Sequence, residues 1–347
     1  RTDITNATVT LDGTSFDYDG EAKVPAVTSV VLDDIEIVAT NYTVNYSNNK
    51  DAGTATVSVT GKGTYMGTAT ATFTINKAAI EPTVSLDGWT YGEQPEVITP
   101  TVGGNLGGGT VTYTYKAAGT EEFTNAVPQD AGTHTIKATI AESANYLTGE
   151  ATNTFIISKA DLELGILIGG WTYGDTPVDP EVTGNLGNGA VTITYQGEND
   201  EVPTTTVPTN AGGYNVFASV AETANYNSGN TQTEFSIEQA DFSEVEIAAI
   251  ADQTYTGDPI EPTITVTFNG NVVDASEYDV DYGEDNVDVG TVTITVTSNG
   301  INFSEDSEPV TTTFEIVPAT VVITAEDQTE TYNGDAQEFT NYEADDI

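Results

Sequence analysis

The stretch DAGTATVSVTG, residues 51–61, decides the fold. After its glycine, small or apolar residues alternate with Thr and Ser. The same pattern recurs at residues 130–140 (DAGTHTIKATI), 210–220 (NAGGYNVFASV) and 288–298 (DVGTVTITVTS). A period of two residues predicts a β-strand with one buried face. Its pairing register is well defined, because a shift of one residue would turn the Thr and Ser residues into the core. No window has a helical period, so the sequence predicts an all-β protein.

Two other landmarks show that the chain is a repeat array. Tyr is followed by Gly one or two places later, and Phe-x-Ile-x-x-Ala closes at Ala78, Ala160, Ala240 and Ala319, about 80 residues apart. Several short strands in such a length are typical of a small antiparallel β-sandwich of the immunoglobulin-like kind. We expect a tandem array of such domains in an extended rod. A β-grasp-type topology stays open as the alternative.

This spacing divides the chain into four complete repeats and part of a fifth. They are predicted at residues 1–77, 78–159, 160–239 and 240–318, and residues 319–347 begin the truncated fifth repeat. They are called the first to fifth repeats below.

Charge excludes two classes of partner. The chain has 54 acidic and 8 basic residues, a formal net charge of -46. Such a surface repels phosphate backbones and anionic lipid headgroups, which argues against nucleic acid and membrane surfaces. No apolar run approaches the 18 residues that indicate a membrane span. Because Met66 is the only methionine and no signal peptide is present, we expect a piece of a longer polypeptide.

The repeats resemble the MBG and YDG classes of bacterial surface repeats. The second and third repeats resemble the MBG class through WTYG and AE(S/T)ANY, at residues 89–92 with 141–146, and at 171–174 with 221–226. The first repeat is similar to the YDG class through Tyr18-Asp19-Gly20 and residues 41–44, NYTV. The fourth repeat has Tyr255-Thr256-Gly257 instead and is assigned to a YDG or MBG type. The resemblance implies short all-β modules of large secreted or anchored adhesins, with an extracellular or bacterial cell-surface location.

Catalysis is not expected. Cysteine is absent, and His134, the only histidine, lies at an inward strand position. A packed histidine there is favoured over a general base. No phosphate-binding loop or dinucleotide fingerprint is present, and no carboxylate pair has the marks of a glycosidase site. The sequence therefore predicts no enzyme and no catalytic residue.

Calcium is the only cofactor that the residues suggest. Ca²⁺ prefers hard oxygen ligands from Asp, Glu and loop carbonyls. The acidic residues are densest just before the alternating run of the fourth repeat, at Asp279, Asp281, Glu284, Asp285 and Asp288. The alternative is a solvated acidic surface with diffuse counterions, since no EF-type loop is complete.

The two tryptophans each stand two residues before a tyrosine. Trp89 with Tyr91 and Trp171 with Tyr173 would each form one aromatic patch, because residues i and i+2 of a strand face the same way. Exposed, such a patch is a platform for sugar rings. Buried, it is the core of a small domain, which we favour because a small domain without disulfides needs its large residues inside.

Two functions follow from these patterns. The first is a non-catalytic stalk of a large bacterial surface adhesin, which projects or contributes to binding of glycans, host surfaces or substrata, with neighbouring repeats of the same polypeptide as further partners. The alternative is a carbohydrate-binding accessory module that uses the Trp/Tyr patches.

Overall fold

The computed structural model describes residues 1–325, 327–338 and 342–344. Within those residues, the regular structure is β-strand except for three 3-10 helices of three residues each. The chain divides into two compact units: residues 1–161 with 222–227, and residues 162–221 with 228–347. The absence of α-helix from the described residues confirms the all-β prediction.

The first compact unit holds the strands of the first and second repeats. Those of the first repeat are β1 (Thr2–Asp3), β2 (Thr8–Leu11), β3 (Ser15–Asp17), β4 (Val27–Leu32), β5 (Ile35–Glu36), β6 (Tyr42–Ser47), β7 (Gly53–Gly61), β8 (Tyr65–Met66) and β9 (Thr68–Asn76), with a 3-10 helix at Ala39–Asn41. Those of the second repeat are β10 (Thr83–Ser85), β11 (Trp89–Thr90), β12 (Thr101–Gly103), β13 (Val111–Lys116), β14 (Gly132–Ile140) and β15 (Gly149–Ser158).

The second compact unit holds the remaining strands. Those of the third repeat are β16 (Gly165–Leu167), β17 (Trp171–Thr172), β18 (Glu181–Thr183), β19 (Val191–Gly197), β20 (Gly212–Val220) and β21 (Gly229–Glu238). Those of the fourth are β22 (Glu246–Ile247), β23 (Gln253–Thr254), β24 (Val266–Phe268), β25 (Asn271–Val272), β26 (Tyr278–Asp281), β27 (Gly290–Ser298) and β28 (Val310–Val317), with 3-10 helices at Phe242–Glu244 and Ala275–Glu277. The chain continues with β29 (Ile323–Ala325) and β30 (Tyr342–Ala344).

One sheet is built four times from equivalent strands. The four-stranded sheets have the orders β3-β9-β7-β6, β11-β15-β14-β13, β17-β21-β20-β19 and β23-β28-β27-β26. A smaller antiparallel sheet accompanies each one: β2-β4-β5, β10-β12, β16-β18 and β22-β24-β25. These pairs of sheets are the repeated sandwich-like units that the sequence predicts.

The four-stranded sheets depart from the prediction in one respect. Their long strands pair antiparallel, as expected. The short first strand of each instead pairs parallel to its neighbour, for example Trp89 opposite Ile157. It spans only two or three residues, too few for an alternating pattern to show its direction.

The cores confirm the predicted register of the central strands β7, β14, β20 and β27. In β7, Ala55, Val57 and Val59 are fully buried, and the Thr and Ser residues between them face outward. Equivalent residues of the other three strands are also buried, except that Tyr214 is half-buried. Each of the four hydrophobic clusters takes its buried residues from one repeat.

Residues 319–347, predicted to begin a fifth repeat, contribute the antiparallel pair β29 and β30. Residues 326, 339–341 and 345–347 of that stretch lie outside the described residues.

Candidate functional site

A loop of eight residues follows the central strand in the second and third repeats and connects it to the last strand of its sheet. In the second repeat it lies between Ile140 and Gly149 and carries Asn145-Tyr146. The equivalent dipeptides are Asn225-Tyr226 in the third repeat and Asn302-Phe303 in the fourth. We call these three segments the docking loops.

Backbone hydrogen bonds fix each docking loop against the alanine that closes the preceding repeat. The N–H of Ala78 donates to the carbonyl of Asn145 (3.0 Å), and the N–H of Leu147 donates to the carbonyl of Ala78 (2.8 Å). Ala160 makes the same pair of bonds with Asn225 and Asn227, and Ala240 makes it with Asn302 and Ser304. Each alanine thus forms a one-residue parallel bridge to the aromatic residue of a docking loop.

The asparagine side chain of each docking loop enters the corner before a central strand. This corner is the motif Asp/Asn-Ala-Gly, which begins at Asp51, Asp130 or Asn210. The N–H of Ala52 donates to Oδ1 of Asn145 at 2.8 Å, and Nδ2 of Asn145 donates to Oδ1 of Asp51 at 3.0 Å. Equivalent bonds join Asn225 to Ala131 (2.8 Å) and Asp130 (2.9 Å), and Asn302 to Ala211 (2.8 Å).

The aromatic residue of each docking loop meets the tyrosine of the Tyr-Gly landmark edge to face. Ring centroids are 5.4 Å apart for Tyr18 and Tyr146. They are 5.4 Å apart for Tyr91 and Tyr226, and 5.3 Å for Tyr173 and Phe303. Interplanar angles of 74–82° place the edge of one ring on the face of the other, which is a favourable arrangement. The bridge, the asparagine bonds and the ring contact together form what we call a joint. The first joint involves Asn145, the second Asn225 and the third Asn302.

The glycine of each corner has a backbone conformation that other residues rarely adopt. The corner glycines Gly53, Gly132 and Gly212 have φ of +138°, +150° and +148°, which L side chains rarely adopt. This conformation lies between the start of the central strand and the alanine whose N–H donates to the docking asparagine. The glycine landmark therefore marks the boundary between the joint and the strand.

His134 holds the corner of the second repeat from within. The ring is 2% exposed, its Nδ1 accepts from the N–H of Ala118 (3.0 Å), and its Nε2 donates to the carbonyl of Asp130 (2.8 Å). In the third repeat, the hydroxyl of Tyr214 donates to the carbonyl of Asn210 at 2.8 Å. A buried histidine with both nitrogens bonded to backbone is a structural residue, as the sequence predicted.

Two of the few basic residues lie beside the joints of the first compact unit. Lys77 contacts Glu142 at 3.4 Å and Lys159 contacts Glu222 at 3.3 Å, each with the lysine 30–31% exposed and the glutamate 66–68% exposed. Ion pairs this exposed contribute little to stability, so the asparagine bonds and the rings are the main polar and apolar parts of the joint.

The tryptophans of the predicted glycan platforms pack onto their own cores. Trp89 stacks on Phe155 with centroids 5.4 Å apart, and Trp171 stacks on Phe235 at 5.1 Å. Trp171 is only 8% exposed. Their partners Tyr91 and Tyr173 belong to joints, which the sequence did not predict. Sugar binding by these four residues stays a prediction.

A cleft of about 260 Å³ lies within the second compact unit, beside the third joint. Its walls include Trp171, Tyr173 and Phe268, and its rim carries Asp175 and Asn271. It is a concave place where an aromatic platform residue and polar groups come together.

The predicted calcium ligands lie on and after β26. Asp279, Asp281, Glu284, Asp285 and Asp288 are all exposed, and Oδ1 of Asp281 accepts from the N–H of Gly283 at 2.9 Å. Across residues 1–325, 327–338 and 342–344, no group of three or more His, Cys, Asp or Glu side chains is placed to hold a metal ion. Calcium binding at this cluster stays a prediction.

The repeat pattern and the repeated sheets agree with a comparison to protein families. The MBG domain model matches residues 7–79, 90–161 and 171–241, well over half of the chain. The chain belongs to the MBG domain family. The same model matches the first repeat, whose motifs resemble the YDG class.

Solved structures with similarity to the chain are distant. Drosophila N-cadherin EC1-4 has 8% identity and a TM-score of 0.22, over 77% of this chain and 83% of that one. A SusE-like surface-located polysaccharide-binding protein of Bacteroides thetaiotaomicron has 12% identity and a TM-score of 0.17, over 73% and 66%. Surface layer protein SbsC, domains 1–6, has 14% identity and a TM-score of 0.21, over 96% and 58%. A search of curated proteins gave no significant match.

No helix in the described part of the chain is both long enough and apolar enough to cross a bilayer.

Proposed function

We propose that the chain is a non-catalytic, extracellular repeat region of a large bacterial surface adhesin. Its role is to project a binding region and to contribute to contact with surfaces or glycans. The observation that supports this most is the joint, which recurs three times with a closing alanine, an asparagine and an aromatic residue at equivalent positions. The most specific polar and aromatic contacts of this chain lie where one repeat meets the next. Such an arrangement suits a spacer that holds a binding region away from the cell.

The composition of the joint supports a stiff connection between repeats. A flexible linker lets neighbouring modules adopt many orientations. At each joint, two backbone bonds, the bonds of a half-buried or buried asparagine and an aromatic pair instead hold the docking loop against the preceding repeat. We therefore expect an extended array. Its net charge of -46 keeps it soluble and makes separate copies of the chain repel one another.

Solution scattering tests this proposal. A compact globule of 347 residues would have a radius of gyration of about 20 Å. The proposal requires a clearly larger value for the parent chain. It also requires a broader distance distribution for the triple variant Asn145→Ala, Asn225→Ala, Asn302→Ala. The exposed Asn125→Ala serves as a control. A parent value near that of the globule would reject the stalk.

The cleft beside the third joint favours a second candidate function, glycan binding. Aromatic faces with polar groups at the rim are the usual lining of a small-ligand site. A glycan array read with Trp emission tests it. Binding would be supported by a saccharide that changes the Trp emission of the parent chain but not that of Asn271→Ala. The unfolding midpoint of the variant should equal that of the parent, which shows that the variant is folded. No response to any saccharide would reject it.

A further inference from the structure

The third joint differs from the first two in where its carboxylate lies. Nδ2 of Asn145 donates to the carboxylate of Asp51, and Nδ2 of Asn225 donates to that of Asp130. At the third joint the corner residue is Asn210, an amide. Its Oδ1 is 3.4 Å from Nδ2 of Asn302, longer than the 2.9–3.0 Å of the other two joints.

Glu277 supplies the missing carboxylate from the fourth repeat itself. Its Oε1 accepts from Nδ2 of Asn302 at 2.7 Å, and its Oε2 accepts from the N–H of Asn302 at 3.0 Å. Glu277 is 8% exposed and Asn302 is 3% exposed. Both carboxylate oxygens of Glu277 therefore have a hydrogen-bond donor, which is what a buried polar group needs inside a protein.

The hydrogen-bond pattern shows which residues are equivalent to Glu277. The carbonyl of Glu277 accepts from Asn299, the first residue after β27. After β14, Ala141 donates in the same way to Thr110, and after β20, Ala221 donates to Ala190. The second and third repeats thus lack a carboxylate where the fourth has one, and their docking loops are the ones that meet an Asp corner. Each joint has one carboxylate close to its asparagine.

We infer that Glu277 and Asn210 are a matched pair that decides which corner the fourth repeat accepts. Its docking loop fits a corner with Asn, and a corner with Asp rejects it. An Asp at position 210 would bring a second carboxylate to the Nδ2 of Asn302 that Glu277 already uses, and the two carboxylates would repel each other. Such repulsion is a known source of specificity between similar partners. The inference concerns only how repeats join, so it stands or falls separately from adhesion.

Hydrogen exchange of the Ala211 amide in the full chain tests this pairing. That N–H donates to Oδ1 of Asn302, so its exchange reports opening of the third joint. We expect Asn210→Asp and Glu277→Gln each to speed exchange by about tenfold or more. In the double variant the carboxylate has moved back to the corner, and exchange returns close to the parent rate. Effects that multiply in the double variant, or no effect of Asn210→Asp, would overturn the inference.

The first joint offers a reciprocal test that leaves Glu277 in place. Thr110 is exposed and equivalent to Glu277, and Asp51 is the corner residue. Thr110→Glu should speed exchange of the Ala52 amide, Thr110→Gln should not, and Asp51→Asn should reverse the effect of Thr110→Glu. Equal effects of the Glu and Gln variants would show that size, and not charge, disturbs the joint, which contradicts the inference.

Discussion

The N–H of Ala52 donates a 2.8 Å hydrogen bond to Oδ1 of Asn145, a residue 93 positions later in the sequence. The same bond recurs between Ala131 and Asn225 and between Ala211 and Asn302. A backbone donor and a side-chain acceptor from two different repeats therefore meet in one geometry three times. This relationship gives the array its most specific set of testable contacts.

Loss of one docking asparagine should weaken the first compact unit. Asn145→Ala removes the acceptor for Ala52 and the donor for Asp51, and it leaves a part-buried N–H unpaired. We expect a loss of about 1–3 kcal/mol in the free energy of unfolding, measured by urea denaturation. Asn125→Ala, an exposed change in the same repeat, should be neutral. Equal losses in the two variants would contradict a special role for the joint.

The corner glycines should not tolerate a side chain. Gly132 has φ of +150°, and a Cβ there would come within 3.0 Å of the Cβ of Ala118. Gly132→Ala should therefore cost about 1–3 kcal/mol, read as a lower thermal midpoint. Gly169 has open space around it and serves as the matched control. If Gly169→Ala lowers the midpoint as much, backbone conformation is not the cause.

His134 and Tyr214 both bond to the backbone of a corner, and removal of their polar atoms should lower the free energy of unfolding by different amounts. Tyr214→Phe deletes one hydroxyl that donates to Asn210 and should cost about 1 kcal/mol. His134→Phe leaves both the Asp130 carbonyl and the Ala118 N–H without their partner, so its cost should be larger. Chemical denaturation of both variants measures this, and the reverse order would contradict the hydrogen-bond assignment of His134.

Stability should fall in alkaline solution because of buried tyrosines. Burial, and secondarily the charge of Glu277, raises the pKa of Tyr173, and burial is also the main cause that raises the pKa of Tyr115 and Tyr195. The unfolded chain loses these protons from about pH 10, before the folded chain does, so rising pH favours unfolding. Thermal midpoints between pH 8 and pH 11 should decline only above about pH 10. In Tyr173→Phe the decline should be smaller, and an equal decline would count against Tyr173.

The calcium hypothesis makes its own prediction. If Asp279, Asp281 and the acidic residues up to Asp288 hold Ca²⁺, millimolar Ca²⁺ should raise the unfolding midpoint beyond the effect of Na⁺ at matched ionic strength. The difference should vanish in Asp281→Asn with Asp285→Asn. Equal midpoints in the two salts would reject specific Ca²⁺ binding and indicate that the acidic residues attract only diffuse counterions.

Features with a local signature could be predicted from the sequence. Alternation from Ala55 to Val59 shows both the strand and its buried face, because the side-chain period of a strand is two. The parallel edge strands could not be predicted, since Trp89–Thr90 is too short to show a period. The contact of Asn145 with a corner 93 residues earlier also has no local signature. The one sequence signal for this contact is an Asn followed by an aromatic residue, which recurs at a similar distance after the corner glycine. In the sequence analysis, this dipeptide contributed only to the family resemblance.

The matching of corners and docking loops bears on how such a gene can change in length. The first two joints use the same residue types, so an in-frame loss of residues 78–159 would bring Asn225 to the corner of Asp51 with its partners unchanged. Loss of residues 160–239 would instead bring the loop of Asn302, together with Glu277, to the corner of Asp130. Recombination between equivalent positions of the repeats is therefore tolerated at one boundary and penalised at the other.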